Sequence, residues 1–114
     1  MEKTNAVAAL AALAQDNRLD VFRLLVQAGP AGMTAGAIAE ALDLPPNTLT
    51  FHFDRLRVAG LAAVRRDGRS KIYTAQFETM NELLGFLTEN CCGGTPCPPA
   101  PACQPTRRRA SVPA

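Results

Sequence analysis

The chain has 114 residues, enough for one small domain with a single hydrophobic core and too few for two. Hydrophobic residues make up 47% and charged residues 19%, the balance of a water-soluble fold, and no apolar run reaches the roughly 20 residues of a membrane span. The formal net charge of +2 hides a division: nine bases stand against ten acids up to Glu89, and Arg107, Arg108 and Arg109 then make the end of the chain basic.

Lys3 followed by the run from Ala6 to Ala14 mimics a short secretory signal, but the run is dominated by alanine and continues directly into charged, helix-forming sequence. A cytoplasmic location is therefore expected. There, clustered thiols are more often metal-binding or redox-active than disulfide-bonded.

Residues about 4 to 15 read as an alanine-rich helix whose small side chains let a neighbouring helix approach closely. Asp16 or Asn17 is expected to cap a second helix, with Leu19, Phe22, Leu25 and Val26 at helical spacing and Gly29-Pro30 at its end. Thr34 is a good N-cap for a third helix carrying Ile38, Ala41 and Leu42, and Asp43-Leu44-Pro45 makes a short turn. Pro46 suits the first position of a fourth helix, where its missing N–H costs nothing. Leu49, Phe53 and Leu56 mark the buried face of that helix and Gly60 stops it, so Asn47, Thr50, Phe51, Asp54 and Arg55 point outward.

Two β-prone runs from Leu61 to Thr74 flank Asp67-Gly68, a strong two-residue hairpin signal. A final helix over about residues 76 to 89 carries Phe77, Met80, Leu83, Leu84 and Leu87 on one stripe, too apolar to be left in water. From Asn90 the composition shifts, with six of the nine prolines between Pro96 and Pro113, so a largely disordered tail is expected. The parse is a domain over 1–90 and a Cys/Pro-rich tail over 91–114.

Arg55, Arg57, Arg65, Arg66, Arg69 and Lys71 crowd one stretch against only Asp54 and Asp67, a basic patch of the kind that meets phosphate. Three helices, a fourth amphipathic helix after a tight turn and a basic hairpin are the components of a winged helix-turn-helix, a mainly α fold with about five helices and a two-stranded wing. A helix fits the major groove, and arginines on a hairpin tip reach the neighbouring phosphates of double-stranded DNA. Asn47, Thr48 and Thr50 are the candidates for the groove, with Phe51 beside them on the outward face. Arg55, Arg65, Arg66 and Arg69 are the candidates for the backbone. Asp54 is an awkward neighbour for phosphate and is expected to pair with Arg55 or Arg57.

The segment Ala37 to Leu44, and then Thr48 to Leu61 with Thr50, His52, Ala59, Gly60 and Leu61, resembles the recognition pattern of the ArsR/SmtB family of bacterial metal-responsive repressors. Asp16-Asn17-Arg18-Leu19 resembles the family's entry to its second helix, and Gly68 to Tyr73 its wing. The match covers about residues 4 to 90, with Phe53 in place of the usual leucine. It adds His52 to the DNA-binding set, although the helical pattern turns His52 toward the buried flank, where a packed core histidine is the commoner role. The resemblance implies no enzyme activity, and a homodimer formed through first and last helices on a two-fold operator.

Cys91, Cys92 and Cys97 lie within seven residues directly after the final helix, a cluster of soft donors for a thiophilic metal or metalloid. Adjacent α-carbons sit about 3.8 Å apart across a trans peptide, whereas an unstrained disulfide wants about 4.4 to 6.8 Å, so Cys91 and Cys92 are poor partners for each other. The family's arsenic site on the third helix would need cysteines between Ile38 and Leu44, and its zinc site on the last helix would need Asp and His; neither set is present. The cysteine pair instead resembles arsenite-responsive repressors with a third cysteine a few residues on, which implies arsenite or antimonite as inducer. Cys97 is the expected third ligand and Cys103 its competitor. Four thiols also permit Zn²⁺ or Cd²⁺, and thiol oxidation is a further signal to weigh. A small thiol redox enzyme is the weaker reading, because no Cys-x-x-Cys follows a strand.

Overall fold

The computed structural model describes residues 1–94. Cys97, Cys103, Arg107, Arg108 and Arg109 lie outside the described residues. Helix α1 (Lys3–Leu13) buries Ala6, Ala9 and Ala12, and those methyl-sized side chains let it lie close against α2 (Asp16–Ala28). The cap of α2 differs from the expectation of Asp16 or Asn17. Gln15 is the extended residue before the helix, and its side chain accepts from the Arg18 N–H at 2.9 Å, which leaves Asp16 in the first turn. A carboxylate there complements the positive end of the helix dipole.

A 3₁₀ turn over Gly29–Ala31 leads into a two-residue strand, β1 (Met33–Thr34), which the sequence pattern did not predict because two residues carry no periodicity. Thr34 then caps α3 (Ala35–Leu42), its hydroxyl accepting from the Ala37 N–H. Asp43 ends α3 in the left-handed region at φ 54°, with Leu44 N–H bonded to Ala39 O at 3.0 Å. Helix α4 (Pro46–Val58) starts three residues later with proline in its first turn.

The end of α4 is a Schellman motif. Leu61 N–H reaches Leu56 O and Gly60 N–H reaches Arg57 O, both at 2.9 Å, and Gly60 takes φ +82°. This directs Leu61 into the core and the chain into β2 (Ala62–Asp67), which pairs with β3 (Ser70–Ala75). The hairpin loop is Gly68-Arg69, one residue beyond the expected Asp-Gly, because Asp67 still pairs with Ser70. With Gly68 at φ +65° the loop needs one left-handed residue, which glycine supplies without a steric cost. The wing has three strands in the order β1-β3-β2 instead of two.

The core is built from Val21, Leu25, Ile38, Leu49, Leu56 and Leu61, all fully buried, so the helices and the base of the wing share one interior. Phe53 of α4 stacks on Tyr73 of β3 with centroids 3.9 Å apart, which couples the wing to that helix. Helix α5 (Phe77–Leu87) inserts Leu83 into the core and packs beside α1. Among the described residues no helix is long and apolar enough to cross a membrane.

Candidate nucleic-acid interface

Helix α4 is held from beneath by Leu49, His52, Phe53 and Leu56, all buried, so its other side is free to face a ligand. Asn47, Thr50, Phe51, Asp54 and Arg55 are exposed, as the helical pattern predicts, and Thr48 is half-buried. Thr50 donates its hydroxyl hydrogen to Pro46 O at 3.0 Å, so its lone pairs are what it offers outward.

His52 is placed differently from the rest of the set. It is 7% exposed, and its Nδ1 lies 3.5 Å from Nη1 of Arg18. An arginine can only donate, so Nδ1 accepts. Burial, and secondarily the Arg18 charge, hold the imidazole below its usual pKa. Arg18 also donates from Nε to Ala12 O at 2.6 Å, which joins α1, α2 and α4 at one point. Of the DNA-binding set, His52 is thus the member whose ring is buried, on the flank to which the helical pattern turns it. Sequence spacing did not single out Arg18 as a positioning residue, because His52 lies 34 positions away.

Asp54 pairs with Arg57, the guanidinium donating from Nη2 at 2.6 Å and from Nε at 3.2 Å to the same carboxylate oxygen. Both groups are about half exposed, so the pair adds little stability. It does neutralise the one acid on the outward face of α4. Arg55 is released from that duty, and its guanidinium sits 5.1 Å from the centroid of the Phe51 ring.

A cleft of roughly 160 Å³ opens between α4 and the wing, lined in part by Thr50, Arg57 and Lys71. Arg57 and Lys71 belong to the basic patch read from the sequence, and the folded hairpin brings Lys71 to the helix. The wing itself carries like charges in register, with Arg66 directly opposite Lys71 and Arg69 in the loop. Directly opposed like charges destabilise a hairpin, and an anion between them removes that cost. Arg65 is engaged elsewhere, its guanidinium donating to Pro30 O at 3.3 Å and Ala31 O at 3.1 Å.

The cysteine pair stands apart from this face. Cys91–Gly94 form a short turn, with Cys92 at φ 58° and Gly93 at φ 65°. The Cys91 N–H donates to Thr88 O at 3.0 Å, and Thr88 Oγ1 donates to Leu84 O at 2.9 Å, so the turn is joined to the end of α5. Both cysteines are exposed. Among the described residues no group of three His, Cys, Asp or Glu is arranged to hold a metal.

Comparison with known proteins agrees with this geometry. A family model described as a helix-turn-helix domain matches residues 13–65. An uncharacterized HTH-type transcriptional regulator of Bacillus subtilis, YceK, is 35% identical over 77 residues, covering 67% of this chain and 76% of that protein. The structure of HlyU from Vibrio cholerae is similar with a TM-score of 0.61 at 32% identity, covering 76% of this chain and 97% of that one. The homodimeric winged helix-turn-helix DNA-binding domain of a possible ArsR-family transcriptional regulator from Mycobacterium bovis shares the fold, with a TM-score of 0.62 at 21% identity over 81% of this chain and 85% of that one.

Proposed function

We propose that this chain, which belongs to the HTH-type transcriptional regulators and has the ArsR-type winged helix-turn-helix fold, is a repressor that binds a two-fold operator as a homodimer and releases it when arsenite or antimonite binds its cysteines. The observation that carries the reading is the link between the two functional regions. The cysteine turn is hydrogen-bonded to Thr88, the residue that ends α5, and that helix leaves Leu84 and Leu87 exposed, while α1, which packs beside it, leaves Val7 and Leu10 exposed. These apolar side chains on two adjacent helices would make up the face that a second copy covers.

A dimer built on that face would carry two α4 helices, with the matching half-sites about 34 to 36 Å apart along one side of the duplex. Each α4 would read the major groove, with Arg66, Arg69 and Arg55 on phosphates. Cys91 and Cys92 supply two thiolates, and Cys97 or Cys103 supplies the third. As(III) carries three exchangeable hydroxyls, so three thiols can replace them with release of three waters. Ordering the tail at the end of α5 would then favour a dimer geometry that no longer fits the operator. Couplings of about 1 to 3 kcal/mol between two sites are typical of such switches, and nearly complete release needs the upper end or more.

Operator release under reducing conditions tests this, with arsenite, antimonite, a methylated arsenical, Zn²⁺, Cd²⁺ and peroxide added in turn. Arsenite is expected to release DNA from the wild type and not from Cys91→Ser or Cys92→Ser. Cys97→Ser and Cys103→Ser then identify the third sulfur. Release by zinc or peroxide alone would transfer the role to a divalent-metal or redox sensor, and release by methylated arsenicals in Cys97→Ser would mark a two-thiol site.

A further inference from the structure

We infer that Phe51 makes this regulator select thymine, by seating its ring against the 5-methyl group in the major groove. The inference rests on α4 being the helix that enters the groove. Phe51 is 52% exposed on α4, with the exposed polar or charged Asn47, Thr50, Asp54 and Arg55 around it and the exposed Val58 two turns on, at the rim of a hollow that it shares with Val58 and with Ala8, Ala11 and Ala12 of α1. Leu49, Phe53 and Leu56 make the buried face of α4, and Phe51 lies off it.

The ring is also held in a defined orientation. His52 meets it edge to face with centroids 5.4 Å apart and planes at 65°, and Arg55 lies over it at 5.1 Å. His52 is buried and bound to Arg18, so one wall of this support belongs to the core. A rotamer fixed in this way loses little entropy on binding, which favours a precise contact over a loose apolar one.

A phenyl ring has no donor for the O6 and N7 of guanine and no amide fork for adenine. In the major groove of unmodified DNA the thymine methyl is the one apolar group that a base presents. Asn47 stands one helical turn before Phe51, and its amide is of the type that pairs with adenine, while Arg55 one turn after carries spare donors for a neighbouring phosphate. The helix face thus reads as an A·T-selecting stripe with Phe51 at its centre.

The test uses the full chain and a duplex enriched by it from a random-sequence pool, resynthesised with deoxyuridine in place of thymine at one position at a time. The wild type is expected to lose about fourfold in affinity for each half-site thymine methyl that Phe51 covers, the factor that burying one such group supplies. Phe51→Ala should bind the thymine and deoxyuridine duplexes equally at that position, and Phe51→Leu should keep part of the preference, with thermal melting showing that both variants fold. Indifference of the wild type to every substitution would overturn the inference, as would an undiminished preference in Phe51→Ala. Failure to enrich any duplex would instead overturn the groove-reading role of α4 beneath it.

Discussion

At Gly32 the backbone passes so close to β3 that an added Cβ would lie 2.5 Å from Tyr73 O and 2.7 Å from the Ile72 and Thr74 methyl carbons, at φ +74°. Two of these obstacles could rotate away, but a backbone carbonyl in the sheet cannot. Gly32→Ala should therefore cost about 3 kcal/mol, combining left-handed strain with overpacking, and urea unfolding would measure it. His52 gives a second residue-level expectation. Its folded pKa lies below its unfolded value of about 6.5, so the unfolded chain binds the extra proton as the pH drops through that value. Stability should be unaffected by His52 above that point and fall as the pH drops below it. Thermal melting of the wild type and His52→Gln from pH 8 to 5 checks this; the variant should show a shallower acid loss. The helical period already turned His52 toward the core. What sequence spacing could not supply was Arg18, a partner 34 positions away.

The wing shows how one element divides its charges. Arg66 and Arg69 stand free at the hairpin end, whereas Arg65 braces β2 against the turn after α2 through two carbonyls. In DNA titrations at varied salt, Arg66→Ala and Arg69→Ala should each reduce the slope of log K against log salt by about 0.9, the signature of one phosphate contact. Arg65→Ala should leave that slope nearly unchanged and lower stability by about 1 kcal/mol, a melting shift of roughly 4 to 8 °C for a domain of this size. The basic hairpin was legible from its residues, but the division of labour was not. Equal residue types at neighbouring positions become a brace or a contact according to what the fold places opposite. The same holds for β1, whose existence depends on β3 arriving beside it.

For the whole molecule, the exposed side of α5 is the feature that most needs a partner. Leu87 is 54% exposed and Leu84 39%, although Leu83, next to Leu84, is buried. Leu84→Glu combined with Leu87→Glu should convert a dimer into monomers by sedimentation, and it should weaken operator binding far more than it weakens the fold, because two half-sites would no longer be held together. By itself the sequence determined the five helices, the HTH turn, the hairpin and the outward face of α4, since caps, prolines, glycines and the 3.6-residue period act locally. Its spacing also set Cys91 and Cys92 directly after the last helix. Spacing within α4 also offered Asp54 two partners, of which the structure takes Arg57. Only the tertiary structure decided that Arg18 holds His52, that Arg65 reaches the turn after α2 and that Lys71 joins α4 at a cleft. Each of those depends on which of several chemically adequate partners the packed chain brings within bonding distance, a choice that local spacing does not encode.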